Sequence, residues 1–268
     1  MNEVELKAEH IFDVLHRTNY WRRFLNSFCL EFDLDHEEVR RTFVEYMVHS
    51  GEHDNQFYLG NAVRYAMIVE SEQPDSWHRA RRQFLTKCLD YGLPSQQSLV
   101  VHDYGFGIVR PEYIERGKKG THKFWLSDIF PSAIDVGRFR LHHEECNPDQ
   151  CGIQFNLSSL DSAPAMGSLA DVVLLLDSIE HADKPTKALA RIVEGSKLDT
   201  IFGMIIPVGP KIASHHIAWS NTTEVRKWLG HAGLLVKAED CIFPDGKFDL
   251  FSDSTGDTFG YACVCERG

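Results

Sequence analysis

Apolar residues recur every three or four positions through the first third of the chain. They do so in VELKAEHIFDVLHRTNYWRRFLNSFCLEF (4–32), DHEEVRRTFVEYMVHS (35–50) and DSWHRARRQFLTKCLDYGL (75–93), the spacing that gathers apolar side chains on one face of a helix. Asp35 followed by Glu38 reads as a capping box at the start of the second segment. The series Tyr20, Trp21, Phe24, Phe28 and Phe32 has helical spacing and predicts a packed aromatic face. Beyond residue 97 the pattern changes to short β-rich runs: SLVVHDY, KFWLSD, GIQFNL, DVVLLLD, TIFGMIIPV, LLVKAEDCIF and YACVCE, separated by segments of helical period. Alternation of this kind implies crossover connections and a mainly parallel sheet buried on both faces. The short turn GLPSQQS separates the two regimes. The pattern therefore predicts an N-terminal helical cap or lid over 1–96 that packs on an α/β domain over 97–268.

The stretch LVVHDYGFGIVRPEY (99–113) runs an apolar strand into an acid and two glycines. In a doubly wound sheet, ligands sit outside the carboxyl ends of the strands where the topology reverses, and glycine lets backbone approach the ligand there. A dinucleotide fingerprint asks for a third glycine at position 110, which is arginine. Asp128, at the end of KFWLSD, has the spacing of a ribose-binding acid for either a dinucleotide or another nucleoside cofactor.

Taken in order, the motifs resemble those of the class I S-adenosylmethionine-dependent methyltransferases. VVHDYGFG is similar to that family's first motif, FWLSDIFPSAIDVGRFRL to its second strand and following helix, and ADVVLLLDSIEHADKPTKALARI to its fourth strand and the helix after it. TIFGMIIPVGP, HHIAWSNTTEVRKWLGHAGLLV and FGYACVCER stand where the fifth strand, the sixth strand with its preceding loop and helix, and the seventh strand belong. The resemblance spans 97–268. It implies a Rossmann-like, seven-stranded, mostly parallel sheet with an antiparallel last strand, S-adenosylmethionine as cofactor, and methyl transfer to a small-molecule acceptor. The family's third motif glycine is Val109 here, a departure that also admits a non-catalytic methyltransferase-like binding subunit. An NAD(P)-dependent oxidoreductase is a further alternative.

Carried over by position, the resemblance implies that Asp103 holds the cofactor's amino group, with Gly105 and Gly107 giving backbone approach. Asp128, with Ile129 beside it, would take the ribose hydroxyls; Ser159, Leu160 or Asp161 would contact adenine; Asp177 and Ser178 would line the methionine side. Arg110 can reach the cofactor carboxylate, and Tyr58 and Asn55 in DNQFYLGN are candidate lid residues at a helix start. Methyl transfer mainly requires alignment, plus removal of a proton where the acceptor carries one. His216, His215 and His181, on loops expected over the cofactor, are the candidate bases.

Composition trims the remaining classes. A formal charge of −11 argues against nucleic acid as a partner, and no apolar run approaches the length of a membrane span. Seven scattered cysteines do not form a disulfide framework, which together with an N-terminus lacking a secretory pattern predicts a cytoplasmic protein. A homodimer is compatible with the sequence. HHEECNPDQC (142–151) is rich in ligating side chains but lacks paired metal-site spacing, so no metal is expected. The cysteines of CVC (263–265) should serve as small apolar residues on one strand face.

Overall fold

The strand runs beyond residue 97 close into one seven-stranded sheet in the computed structural model, which describes residues 3–49, 56–72, 77–91, 98–162, 169–210, 214–242 and 259–268. The strands are β1 (Leu99–Tyr104), β2 (His122–Asp128), β3 (Ile153–Leu157), β4 (Val172–Leu176), β5 (Ile201–Val208), β6 (Leu234–Ile242) and β7 (Phe259–Arg267). Their order is β3-β2-β1-β4-β5-β7-β6. β1 to β5 are parallel, and β7 runs antiparallel between β5 and β6. All seven strands lie where the sequence pattern put them. Every residue of β4 and β5 is buried, as expected of central strands covered on both faces.

The covering helices divide by the side of the sheet they occupy. On one face lie α5 (Trp77–Asp90), α6 (Pro111–Lys118), α7 (Pro131–His143) and the single-turn α8 (Pro148–Cys151), packed on Leu99, Val101, Phe124, Leu126, Leu174 and Ile205. On the other lie α9 (Pro185–Glu194) and α10 (Thr222–His231), packed on Val173, Leu175, Phe202, Met204 and Tyr261. The alternation of residues between the two lists is the strand period of two. Cys263 and Cys265, both fully buried on the second face, take the apolar role read for them. Helix α5 lies close on β5 because position 203 is glycine. A side-chain carbon there would come within 2.5 Å of the Cys88 sulfur and 2.9 Å of Leu174.

The remaining helices, α1 (Glu3–Leu15), α2 (Asn19–Phe32), α3 (His36–Val48) and α4 (Asn61–Ser71), form a third core of their own. The first apolar run is broken between α1 and α2, where Thr18 Oγ1 accepts the Trp21 amide and caps α2. Asp35 caps α3 by accepting the Glu38 amide at 2.7 Å. Of the aromatic series, Trp21, Phe24 and Phe28 are buried and Phe32 is half-buried. Tyr20 is instead exposed and donates its hydroxyl to Glu144. Phe24 and Phe28 each place their rings 5.4 Å from Phe139 of α7, so this core is seated on a sheet helix.

Cys146, ahead of α8, and Cys151, its last residue, are joined in a disulfide, a pairing that the scattered cysteines did not suggest; the other five form no disulfide and are buried. No helix among the described residues is long and apolar enough to cross a membrane.

His102 of β1 gives the fold a pH dependence. Its ring is 1% exposed, stacks on Tyr104 at 3.8 Å and has Nε2 2.8 Å from Ser127 Oγ. Burial pushes its pKa down to about 4, whereas an unfolded histidine titrates near 6.5. Below about pH 6.5 the unfolded chain takes up a proton that the folded one refuses, so stability falls as pH drops from about 6.5 toward 4. The full contribution is on the order of 3 kcal/mol. Urea unfolding of the His102→Gln protein should show a correspondingly shallower acid slope; identical slopes in the two proteins would remove this assignment.

Candidate active site

The topology reverses between β1 and β4, and of the residues singled out from sequence Asp103, Gly105, Gly107, Asp128, Asp177 and Ser178 stand at the carboxyl ends of those strands and of β2. Gly105 and Gly107, just past β1, take φ of 71° and 64°, a region open to glycine at little cost. At Gly105 a side chain would also meet Ser178 Cβ at 2.6 Å, so that glycine seats the β1 loop against the turn after β4. Asp128 fastens the same loop from the other side. Its Oδ2 accepts the Gly107 amide at 3.0 Å, and its Oδ1 accepts the Phe130 amide at 2.9 Å. Val109, in place of the third glycine, is 1% exposed and packs in the sheet core. It is not among the residues with positive φ, so the backbone there does not call for glycine.

Asp103 and Arg110 lie beneath this loop. Asp103 is 1% exposed; Tyr113 donates to its Oδ2 at 2.6 Å, while Oδ1 has no hydrogen-bond partner. Burial raises its pKa, against the opposing pull of the Arg110 charge and the Tyr113 hydroxyl. Arg110 is 2% exposed with Nε and Nη1 unpartnered. An acceptor and two donors thus stand buried and unsatisfied, an arrangement that demands a compensating group.

Two arginines absent from the sequence reading close the site from the helical side. Arg64 of α4 is buried and donates from Nη1 to the Gly107 carbonyl (3.3 Å), from Nη2 to the Tyr58 carbonyl (3.0 Å) and from Nε to Ser132 Oγ (3.3 Å). Burial depresses its pKa, partly offset by Asp128. Arg81 of α5 donates to the Leu176 carbonyl at the end of β4, and its Nη1 lies 3.4 Å from Asp177 Oδ2. The sequence held one signal for Arg64: a lone charge inside the apolar run NAVRYAMIV (61–69). Tyr58, half-buried, meets this cluster through its carbonyl, which also accepts from Ser132 Oγ. Asn55 lies outside the described residues.

The turn after β4 carries the densest ionisable group. Asp177 adopts φ 61°, uncommon for a residue other than glycine but tolerated by aspartate. Burial works to raise its pKa, yet the neighbouring Arg81 guanidinium holds it below the usual range. Glu180 is fully buried and accepts from no amide, hydroxyl or guanidinium; burial first, then the charge of the adjacent Asp177 and the contact between the two carboxyls, raise its pKa well above normal. His181 Nδ1 donates to the Ser214 carbonyl at 3.0 Å, leaving Nε2 3.7 Å from Glu180 Oε1. Burial lowers the His181 pKa. Of the two adjacent histidines, His215 is buried with Nε2 3.9 Å from the same Glu180 oxygen. His216 is turned outward, 4.0 Å from Asp183, while its backbone amide donates to the Glu180 carbonyl. Ser178 Oγ is buried without a partner.

The remaining candidates are more peripheral. Ile129 is 45% exposed. Ser159 Oγ accepts the Ser162 amide, and Leu160 packs beside the second core. The Asp161 carboxylate accepts the Asp183 and Lys184 amides at 2.8 and 3.1 Å, which ties the β3 loop to the start of α9.

No protein-family model and no curated protein matches the chain in sequence. Solved structures do match it in fold. The Haemonchus contortus phosphoethanolamine N-methyltransferase 2, in complex with S-adenosyl-L-methionine, superposes with a TM-score of 0.57 at 11% identity, over 84% of this chain and 60% of that one. The (4+2)-cyclase SpnF superposes at 0.56 and 11% identity, over 72% of this chain and 83% of its own. The Burkholderia thailandensis 1,6-didemethyltoxoflavin-N1-methyltransferase, with 1,6-didemethyltoxoflavin and S-adenosylhomocysteine bound, superposes at 0.50 and 13%, over 76% and 87%. With the strand order, the antiparallel β7 and these neighbours together, the chain has the class I Rossmann-like methyltransferase fold.

Proposed function

We propose that the protein binds S-adenosylmethionine and transfers its methyl group to a small-molecule acceptor. The observation that carries this reading is the double fastening of the glycine loop at the topological switch point, by Asp128 on the Gly107 amide and by Ser178 against Gly105. The chemistry of the unsatisfied buried atoms fits the cofactor. Its amino-acid end carries one ammonium and one carboxylate; Asp103 Oδ1 can accept from the first, and Arg110 Nε and Nη1 can donate to the second. Asp128 retains acceptor capacity for ribose hydroxyls, since each carboxylate oxygen has further lone-pair sites beyond the amide it already serves. When bound, S-adenosylmethionine supplies an electrophilic methyl on a sulfonium centre.

The protein's own work is then alignment and exclusion of water. Arg64 and the 57–59 turn cover the glycine loop, and Arg81 holds α5 against the end of β4; that cover favours an acceptor small enough to lie beneath it. Where the acceptor carries a proton, the Glu180, His181 and His215 group is the candidate to manage it, and His216, turned toward solvent, is the weaker one. The negative φ and burial of Val109 support a loop that keeps its shape without the third glycine, which favours this reading over a non-catalytic subunit. Calorimetric titration with S-adenosylhomocysteine and with NAD tests the reading. We expect a micromolar constant for the first, about −8 kcal/mol, and none for the second. Silence at millimolar S-adenosylhomocysteine would end the methyl-transfer reading, and binding of NAD alone would replace it with an oxidoreductase.

A further inference from the structure

Glu180, His181 and His215 place one carboxylate oxygen and two imidazole nitrogens within 4.8 Å of one another. We propose that these three side chains bind a divalent first-row transition-metal cation, and that its open positions take a hydroxyl oxygen of the acceptor. This departs from the sequence expectation of no metal, because His215 lies 34 positions from His181 and only the fold brings them together.

Three independent features support the site. Glu180 is fully buried and neither oxygen accepts from an amide, hydroxyl or guanidinium; what faces it is a second carboxyl, that of Asp177. The nearby Arg81 relieves it only through its charge, since the hydrogen bonds of that guanidinium go to Asp177 and the Leu176 carbonyl. A dication supplies what this carboxylate lacks. His181 is already oriented as a ligand: its Nδ1 proton is committed to the Ser214 carbonyl, which leaves the lone pair on Nε2, facing Glu180. A backbone carbonyl in this role is the usual means of fixing the tautomer of a ligating histidine. The spacing also suits a small ion. Nε2 of His181 and of His215 lie 3.7 and 3.9 Å from Glu180 Oε1, and all three donors are within 4.8 Å of one another; bonds of about 2.1 Å to a tetrahedral ion put ligand atoms about 3.4 Å apart, so rotation of the imidazoles by about an ångström closes the shell.

A mixed nitrogen and oxygen donor set suits Mn²⁺, Fe²⁺, Co²⁺ or Zn²⁺ better than Mg²⁺. Three protein ligands leave positions for water or substrate. A hydroxyl bound there loses its proton to solvent more readily, which takes the place of a free histidine base. That use of the ion rests on the methyl-transfer reading; binding of the ion does not.

The test starts from the full-length protein stripped with EDTA, to which Co²⁺ is added. We expect visible d–d bands of nitrogen-ligated cobalt that saturate at one equivalent, with Mn²⁺ and Zn²⁺ competing. Glu180→Gln and His215→Gln should each weaken Co²⁺ binding by on the order of a hundredfold, with circular dichroism unchanged. Absence of the bands in the wild-type protein, or equal affinity in a folded variant, overturns the site. If Glu180→Gln does not fold, the wild-type spectrum and His215→Gln decide the matter. Titrating the stripped protein with S-adenosylhomocysteine keeps the two proposals apart: cofactor binding without a cobalt spectrum sinks the metal site alone.

Discussion

Asp128→Ala is expected to weaken S-adenosylhomocysteine binding by on the order of 3 kcal/mol, about a hundredfold. The carboxylate does two things at once. It accepts the Gly107 and Phe130 amides, so its removal frees the glycine loop that the ligand must lie along. It also takes with it the acceptor for the ribose hydroxyls, and hydrogen bonds to a charged group contribute about 1.5–3 kcal/mol each. Asp128→Asn, which retains one acceptor oxygen of the same shape, should fall between the two. Calorimetry reads the affinity, and thermal unfolding of the unliganded proteins reports the part that belongs to the loop alone. An affinity equal to wild type in Asp128→Ala would mean that the nucleoside lies elsewhere.

The largest effect on stability is expected at Phe24. Its ring is fully buried and contacts Phe139 and His143 of the sheet helix α7 as well as Tyr65 of α4. Truncating a buried phenylalanine to alanine costs about 3–5 kcal/mol, read here as a shift in the denaturant midpoint. The same change loosens the seat of α4, and α4 carries Arg64 onto the Gly107 carbonyl. Cofactor affinity should therefore drop along with stability. A midpoint shift equivalent to less than 1 kcal/mol would show that the four helices rest lightly on α7.

The strands were legible because each is a local run: β4 and β5 read as continuous apolar segments, and their burial on both faces follows from that. The glycine loop was legible for the same reason, its acid, glycines and Val109 standing within seven positions. What escaped is long-range. Nothing near Arg64 or Arg81 in sequence announces that they reach Gly107 and Asp177, whose positions are set by strands that follow them in the chain. His215 and His216 are neighbours of the same type, and the fold, not the local sequence, turns the first inward toward Glu180 and leaves the second outward. The Asp161 carboxylate likewise looked available until the start of α9 came to lie against it. The Cys146–Cys151 bond depended on the turn of α8 between them.

The seating of α2 on α7 also bears on how the chain is made. Phe24 and Phe28 leave the ribosome long before Phe139, which follows Phe24 by 115 positions. At roughly 5–20 residues per second, that aromatic face waits on the order of ten seconds for its partner. Tyr65 arrives sooner and packs on both rings, so α4 can shelter them provisionally while the strands are still being synthesised. Nascent chains halted before residue 139 should accordingly be bound by chaperones at this aromatic face, and chains halted after α7 should be released.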